Sequence, residues 1–173
     1  ELKNVNADVM PLYGAMSFAD QDRAIRPAAL GARKIVLATT IAETSLTIEG
    51  VRTVIDAGLA REASFDPRRG IDTLLIRKIS RASAEQRAGR AGRTGPGRAF
   101  RLWSESEHAR REPFDAPEVR RVDLAEVVLL LKSAGISEVR DFRWLDAPTE
   151  DSLRRAESLL HDLGALLVDA PLA

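Results

Sequence analysis

The chain has no cysteine, which excludes disulfides and thiolate metal sites. It has no surplus of either charge, with 26 Lys and Arg against 26 Asp and Glu. Bulk charge therefore carries no nucleic-acid signature. No apolar run is long enough to span a bilayer, and no signal peptide is read at the start, so a cytoplasmic protein without membrane contact is expected. Repeats and low-complexity tracts are absent. So is a G-x-x-x-x-G-K-(S/T) phosphate loop, the element that cradles nucleotide phosphates. The two histidines, His108 and His161, lack metal-ligand spacing and are expected at the surface, and no metal site is expected. Aromatics amount to 5%, and Trp103 and Trp144 are expected to pack rather than to stack on bases.

What is present is a chain of 173 residues with 45% hydrophobic content, enough for one to two packed domains. Its charge is unevenly spread. Arg77, Lys78, Arg81, Arg87, Arg90, Arg93, Arg98 and Arg101 face a single acid, Glu85, whereas acids gather in the second half. A local basic region, not the bulk, would bind phosphate. Its centre is Gln86-Arg87-Ala88-Gly89-Arg90-Ala91-Gly92-Arg93. At about 100° per residue, Gln86, Arg90 and Arg93 share one narrow stripe of a helix while Arg87 points elsewhere. Two forked cations and an amide suit a phosphate group. The intervening small residues let the backbone approach a ligand. A structural alternative stands beside this one: Ser83 followed by Gln86 also reads as a capping box.

A second motif lies upstream. Between the apolar run Lys34–Ala38 and the strand-like Val51–Asp56 sits Thr39-Thr40-Ile41-Ala42-Glu43-Thr44-Ser45-Leu46-Thr47-Ile48-Glu49-Gly50. Hydroxyls and backbone amides at strand ends bind phosphates and sugars. The alternative is a turn in which Thr and Ser make local backbone bonds.

The periodicity predicts alternating strands and helices. Strands are expected at Val9–Leu12, Ile35–Ala38, Val51–Asp56 and Gly97–Trp103. A helix capped by Ser17 should stop at Ile25 before Pro27. Arg61–Phe65 and Thr73–Ile79 flank a turn-rich insert and read as a β-hairpin. The order predicts an α/β fold with a mostly parallel sheet covered by helices. A charged stretch from Ser104 to Asp123 reads as a surface helix plus linker. Asp123 should cap a helix over Leu124–Ala134, with Leu124, Val127, Val128 and Leu131 as its apolar stripe and Gly135 as its stop. A second helix is expected from Thr149 to Leu163, with Leu153, Ala156, Leu159, Leu160 and Leu163 inward and Gly164 at its end. Leu166–Asp169 reads as the start of a wing strand.

Together the motifs T-x-I-A-E-T-S-L-T-I-(D/E)-G, V-I-D-x-G and S-A-x-Q-R-A-G-R-A-G-R-T-x-P-G resemble motifs V and VI of the DEAH-box RNA helicases. Pro11-Leu12-Tyr13-Gly14, Phe65-Asp66-Pro67-Arg68 and Ala116-Pro117-Glu118-Val119 add to the resemblance, and Leu159–Leu166 resembles a later helix of the same family. Trp144-Leu145-Asp146 leans toward its bacterial HrpB branch. The resemblance implies most of a second RecA-like domain over residues 1–103, a linker over 104–122 and the start of a winged-helix domain over 123–173. It implies a piece of an ATP-dependent, 3′-to-5′ RNA helicase that does not hydrolyse ATP alone, since the D-E-A-H box is also absent. ATP with Mg2+ would be held mainly by a first RecA-like domain, the partner across the active site. Single-stranded RNA would be the other partner.

By the same resemblance, Arg90 and Arg93 are arginine fingers on the γ-phosphate, and Gln86 positions the attacking water. Ser45 senses the nucleotide state. Glu49 stands near the ribose, where many relatives carry aspartate, and Ile25 lies where eukaryotic relatives place a phenylalanine on adenine. Gly14, Thr39, Thr40 and Thr47 would hold the RNA backbone, with Thr40 in place of a frequent asparagine. Arg87 is expected in an internal salt bridge. A non-catalytic nucleic-acid-binding module and a DNA-directed helicase are the competing readings.

Overall fold

The computed structural model describes residues 6–44 and 46–166, which fall into two compact units. One holds the described residues up to Arg61 together with Ile76–Asp115, and the other holds Glu62–Leu75 and the described residues from Ala116 onward. The stretch expected as a linker over 104–122 is thus divided between them.

The first unit is built on parallel strand pairs, in line with the expected parallel α/β architecture. Strand β1 (Asp8–Leu12) pairs in parallel with β2 (Lys34–Ala38), with Leu12 opposite Ala38. Between them runs α1 (Phe18–Ile25), capped by the Ser17 hydroxyl, which accepts from the Asp20 amide. After β2 comes a four-residue helix, α2 (Ile41–Thr44), where a hydroxyl-rich loop was expected. The reason is local: the Thr39 and Thr40 carbonyls accept from the Ala42 and Glu43 amides and close a turn. Strand β3 (Thr53–Asp56) pairs in parallel with β6 (Arg98–Arg101), with Val54 opposite Ala99. The expected hairpin is present as β4 (Leu59–Asp66) and β5 (Ile71–Lys78), of which Glu62–Leu75 belongs to the second unit.

Helix α3 (Arg81–Gly89) follows the hairpin. Its cap is Ser80, whose hydroxyl accepts from the Ser83 amide, so the capping box that Ser83 and Gln86 offered as a structural alternative does not form. The Asp115 carboxylate in turn accepts from the Ser80 amide and hydroxyl at 2.9 and 2.8 Å. The helix does not run straight through the arginine run. At Gly89 it tightens, and Arg90–Gly92 form a 3-10 turn. Two glycines within four residues weaken the α-helix there.

A small core of Ala60, Ile79 and Ala84 lies under Trp103, which packs as expected. The buried Arg111 donates to the Gly58 and Ile79 carbonyls at 2.9 Å each and lies over the Trp103 ring at 4.2 Å. Gly58, at φ +70°, leaves room for both: an added Cβ there would sit 2.4 Å from the Arg111 guanidinium. His108 on α4 (Glu105–Ala109) is half-buried with its ring stacked on Trp103, which corrects the expectation of a surface residue.

The second unit has its own core. Leu124, Val128, Val139, Leu153, Ala156 and Leu160 are buried together, with Trp144 packed on them. They come chiefly from α5 (Ala125–Ser133) and α6 (Glu150–Asp162). The N-cap position of α5 is Leu124 rather than the expected Asp123, whose carboxylate lies one residue earlier and accepts from the Ala125 amide at 2.8 Å. On α6 the inward stripe is narrower than expected. Leu153, Ala156 and Leu160 are buried, but Leu159 is 43% and Leu163 70% exposed. Leu159 is rotated by about 100° from Leu160, and Leu163 lies beyond the last helical turn. The expected wing strand over Leu166–Asp169 falls almost wholly outside the described residues.

Leu160→Ala, at 4% exposure, should destabilise the chain by about 2–5 kcal/mol, whereas Leu163→Ala should change it by less than about 0.5 kcal/mol. Urea unfolding of the two variants checks the pair. A pH effect is expected from Arg140, which clamps Glu150 and Glu157. The Arg140 hydrogen bond holds the Glu150 carboxyl below its ordinary value, against a smaller opposing effect of desolvation. The stabilisation is therefore complete above the usual carboxylate range and lost as pH falls through the depressed value. Acid titration of Arg140→Ala should show a weaker loss of stability below about pH 4 than the unchanged chain.

Candidate nucleotide and nucleic-acid site

The site is assembled from α2, the loop after it, and the α3 segment with its 3-10 turn. Arg87 lies on the side of α3 that faces α2 and β3. Its Nε donates to Glu43 at 2.8 Å, and its Nη1 donates to Asp56 at 3.0 Å and to the Leu59 carbonyl at 3.1 Å. All three side chains are sheltered, with exposures of 16% for Arg87, 14% for Glu43 and 5% for Asp56. Burial works against the charged guanidinium, but the hydrogen bonds and charges of Glu43 and Asp56 outweigh it and raise the Arg87 pKa. The expected internal salt bridge of Arg87 is present.

Arg90 and Arg93 are placed differently. Among the described residues neither meets a carboxylate. The Arg90 guanidinium donates to the Leu46 carbonyl at 3.0 Å and to the Glu43 carbonyl. Arg93 Nη1 donates to the Thr47 hydroxyl at 2.6 Å. Burial chiefly, and then the positive charge of Arg93, lowers the Arg90 pKa, with Glu43 in partial opposition. Two other cations of the basic region are compensated: Lys78 pairs with Glu107, and Arg101 with Glu85. Gly97 lets the start of β6 pass close beneath the 3-10 turn. An added Cβ there would lie 2.0 Å from the Ala91 carbonyl oxygen. Gln86 is exposed, and its side chain makes no hydrogen bond among the described residues.

The remaining candidates fall into three groups. Gly14, Thr39 and Thr40 are exposed and share the carboxyl end of the β1–β2 pair, where the Thr39 amide donates to the Leu12 carbonyl at 3.1 Å. Ligands bind characteristically at that end of parallel strands. Thr47, expected with them on the nucleic acid, accepts through its hydroxyl from Arg93. Ile25 is half-buried at the end of α1, where Lys34 Nζ donates to the Ala24 carbonyl at 2.8 Å and to the Arg26 carbonyl. Glu49 is exposed. Ser45 lies outside the described residues.

Glu43 was missed by the sequence reading. Its carboxylate accepts from Arg87 and from the Ser83 hydroxyl, and its carbonyl accepts from Arg90. The available signal was an acid set alone among small, apolar and hydroxyl side chains.

Residues 1–95 match the family described as helicase conserved C-terminal domain. The chain is 48% identical to the human probable ATP-dependent RNA helicase DHX34 over 91% of its own length and 14% of that protein. It is 46% identical to the ATP-dependent RNA helicase HrpB of Escherichia coli K12, over 94% of the chain and 20% of that protein. A crystal structure of Escherichia coli DEAH/RHA helicase HrpB is similar with a TM-score of 0.89 and 45% identity, covering 95% of this chain and 21% of that one. The chain thus spans less than a quarter of the length of these relatives.

Replacing Arg87 by Met would leave Glu43 and Asp56 as sheltered, unpaired carboxylates. Removing one partner from such a cluster costs about 3–5 kcal/mol. Urea unfolding of Arg87→Met should show a loss of that size, and a loss below about 0.5 kcal/mol would mean that the cluster does not hold these elements together.

Proposed function

The chain belongs to the helicase conserved C-terminal domain family, and on that premise we propose that it supplies one wall of the nucleotide site of an ATP-dependent RNA helicase. Residues 1–103 would form most of a second RecA-like domain, and residues 123–173 the start of a winged-helix domain after the linker at 104–122. A first RecA-like domain of the same protein would form the opposite wall.

One observation carries the reading. Arg87 takes both nearby carboxylates, while Arg90 and Arg93 rest on neutral carbonyl and hydroxyl oxygens. A phosphate oxygen is a stronger acceptor than either. The two guanidinium groups are therefore free to transfer to a γ-phosphate presented from across the cleft. There they stabilise charge on the transferred phosphoryl group, which is worth roughly 10³–10⁵ in rate, or about 4–7 kcal/mol of barrier. The exposed Gln86 amide can accept from the attacking water and donate to a phosphate oxygen at once.

Magnesium would supply neutralisation of the phosphate oxygens from the first domain. Among the described residues no three His, Asp or Glu side chains cluster to hold a cation, and a donor set of guanidinium and amide N–H groups fits phosphate rather than metal. Ile25 would pack on the adenine without stacking, and Glu49 would reach the ribose. Ser45 would sense the nucleotide state.

Gly14, Thr39 and Thr40 would grip the phosphate backbone of single-stranded RNA. Such contacts carry no base information, so binding should tolerate sequence changes. Thr47, bonded to Arg93, would join this grip when Arg93 turns to the nucleotide. No helix among the described residues is long and apolar enough to cross a membrane.

In the full-length protein, Arg90→Ala should lower ATP turnover by about 10³-fold or more and leave ATP affinity little changed. Arg90→Lys should not restore turnover, because a point charge cannot replace the fork. Steady-state ATPase assays with nucleotide titration check both, and unchanged turnover refutes the finger assignment. Comparing ATPase stimulation by RNA and by DNA identifies the strand that is gripped.

A further inference from the structure

The end of α1 is fixed from outside the helix. The last carbonyls of an α-helix lack partners within it, and Pro27 has no amide to offer the Arg23 carbonyl. Lys34, the first residue of β2, answers from beyond the intervening loop. Its Nζ donates to the Ala24 carbonyl at 2.8 Å and to the Arg26 carbonyl. The two acceptors bracket Ile25. Ala24 is 1% exposed, but every residue from Arg26 to Arg33 is exposed, so burial holds the chain on one side of Ile25 only. On the other side the ammonium takes that part, and its charge suits the negative end of the helix. Desolvation lowers the Lys34 pKa, with the Asp8 carboxylate in opposition. A surface lysine keeps its head in water. This one is turned onto backbone oxygens beside the residue of α1 assigned to the nucleotide base.

We propose that Lys34 is a positioning residue for base binding, which presents the Ile25 side chain to adenine by pinning the backbone on both sides of it. The proposal rests on the contact between Ile25 and adenine proposed above. An aliphatic side chain offers a base only contact area. It has no ring to stack and no polar atom to correct its orientation, so its worth depends on being held in place before the base arrives. Were Ile25 ordered only on binding, the lost backbone freedom of that one residue would weaken affinity by a factor of about 5–30. The two Lys34 bonds move that ordering to the folding step. A compact ammonium with three donors suits the task, since it can bond two carbonyls that face different ways. The effect is confined to the base: the phosphate end of a nucleotide gains nothing from a fixed Ile25.

The test titrates the full-length protein with ADP and with ribose diphosphate, the same ligand without its base, and reads equilibrium affinity by calorimetry. Lys34→Met keeps the length of the side chain and removes its donors. It should weaken ADP binding by about fivefold or more and leave ribose diphosphate binding unchanged. Ile25→Ala should also weaken ADP binding alone. The double variant should bind ADP no more weakly than Ile25→Ala, because a residue that acts through Ile25 then has nothing left to position. Lys34→Gln keeps a shorter amide donor without the charge. It takes the place of Lys34→Met where that variant does not fold, and the same base-dependent loss is expected at reduced size. An unchanged ADP affinity in the Lys34 variant overturns the proposal. So does an equal loss for both ligands, which is what a merely structural cap would produce, and so do losses that multiply in the double variant. If Ile25→Ala itself leaves ADP affinity unchanged, the underlying assignment of Ile25 to adenine falls and takes the proposal with it, and the two failures are therefore distinguishable.

Discussion

Two carboxylates and one guanidinium, Glu43, Asp56 and Arg87, hold the first unit's working parts in register. The three come from different elements: Glu43 from α2, Asp56 from the end of β3, and Arg87 from α3. Two acids sheltered side by side would repel each other and lose hydration. The arginine fork between them answers both, and its remaining bond fixes the Leu59 carbonyl at the start of β4. The cluster also allocates charge. By occupying both acids it leaves Arg90 and Arg93 with neutral acceptors, and a cation on a neutral acceptor is readily drawn to an anion.

The rest of the unit supports that allocation. Asp115 fixes Ser80, and Ser80 caps α3, so the helix enters the cluster at a set angle. Gly97 allows β6 to pass under the 3-10 turn. Arg111 fills the space beneath Gly58 and Ile79, held by their carbonyls and by the Trp103 face. A charged side chain serves there as core, which is tolerable because most of its donors are satisfied.

Features set by local sequence were legible. Ser17 caps the helix it was expected to cap, because a cap bonds within three residues of itself. The parallel pairs followed from apolar runs separated by helices. Features that depend on distant partners were legible only in part: an internal salt bridge of Arg87 was expected, but its partners were not. Glu43 and Arg87 are forty-four positions apart, and nothing local says that the acid of the hydroxyl-rich segment turns inward. The Thr47 hydroxyl looked like its neighbours Thr39 and Thr40, and only the path of the loop brings it to Arg93. His108 read as a surface residue because the Trp103 ring that it stacks on lies across a turn. On α6 the alternation of leucines suggested a wider buried stripe than the core accepts, and Leu163 falls just past the helix end.

The spacing of the three arginines gains its meaning from the change of helix at Gly89. On α3, Arg87 is rotated by about 100° from Gln86 and so points toward α2 and β3. Had the α-helix continued, Arg90 and Arg93 would be offset by about 60°. In a 3-10 turn, with about three residues per turn, positions three apart eclipse. The tightening at Arg90–Gly92 therefore brings Arg90 and Arg93 toward one line. Two like charges in line repel, which is one reason the Arg90 pKa is lowered. An isolated pair of this kind is costly, and an anion that accepts from both removes the cost. The same eight residues thus divide into one arginine spent on internal order and two left electrostatically unsatisfied. The glycines that weaken the helix are what make the division possible.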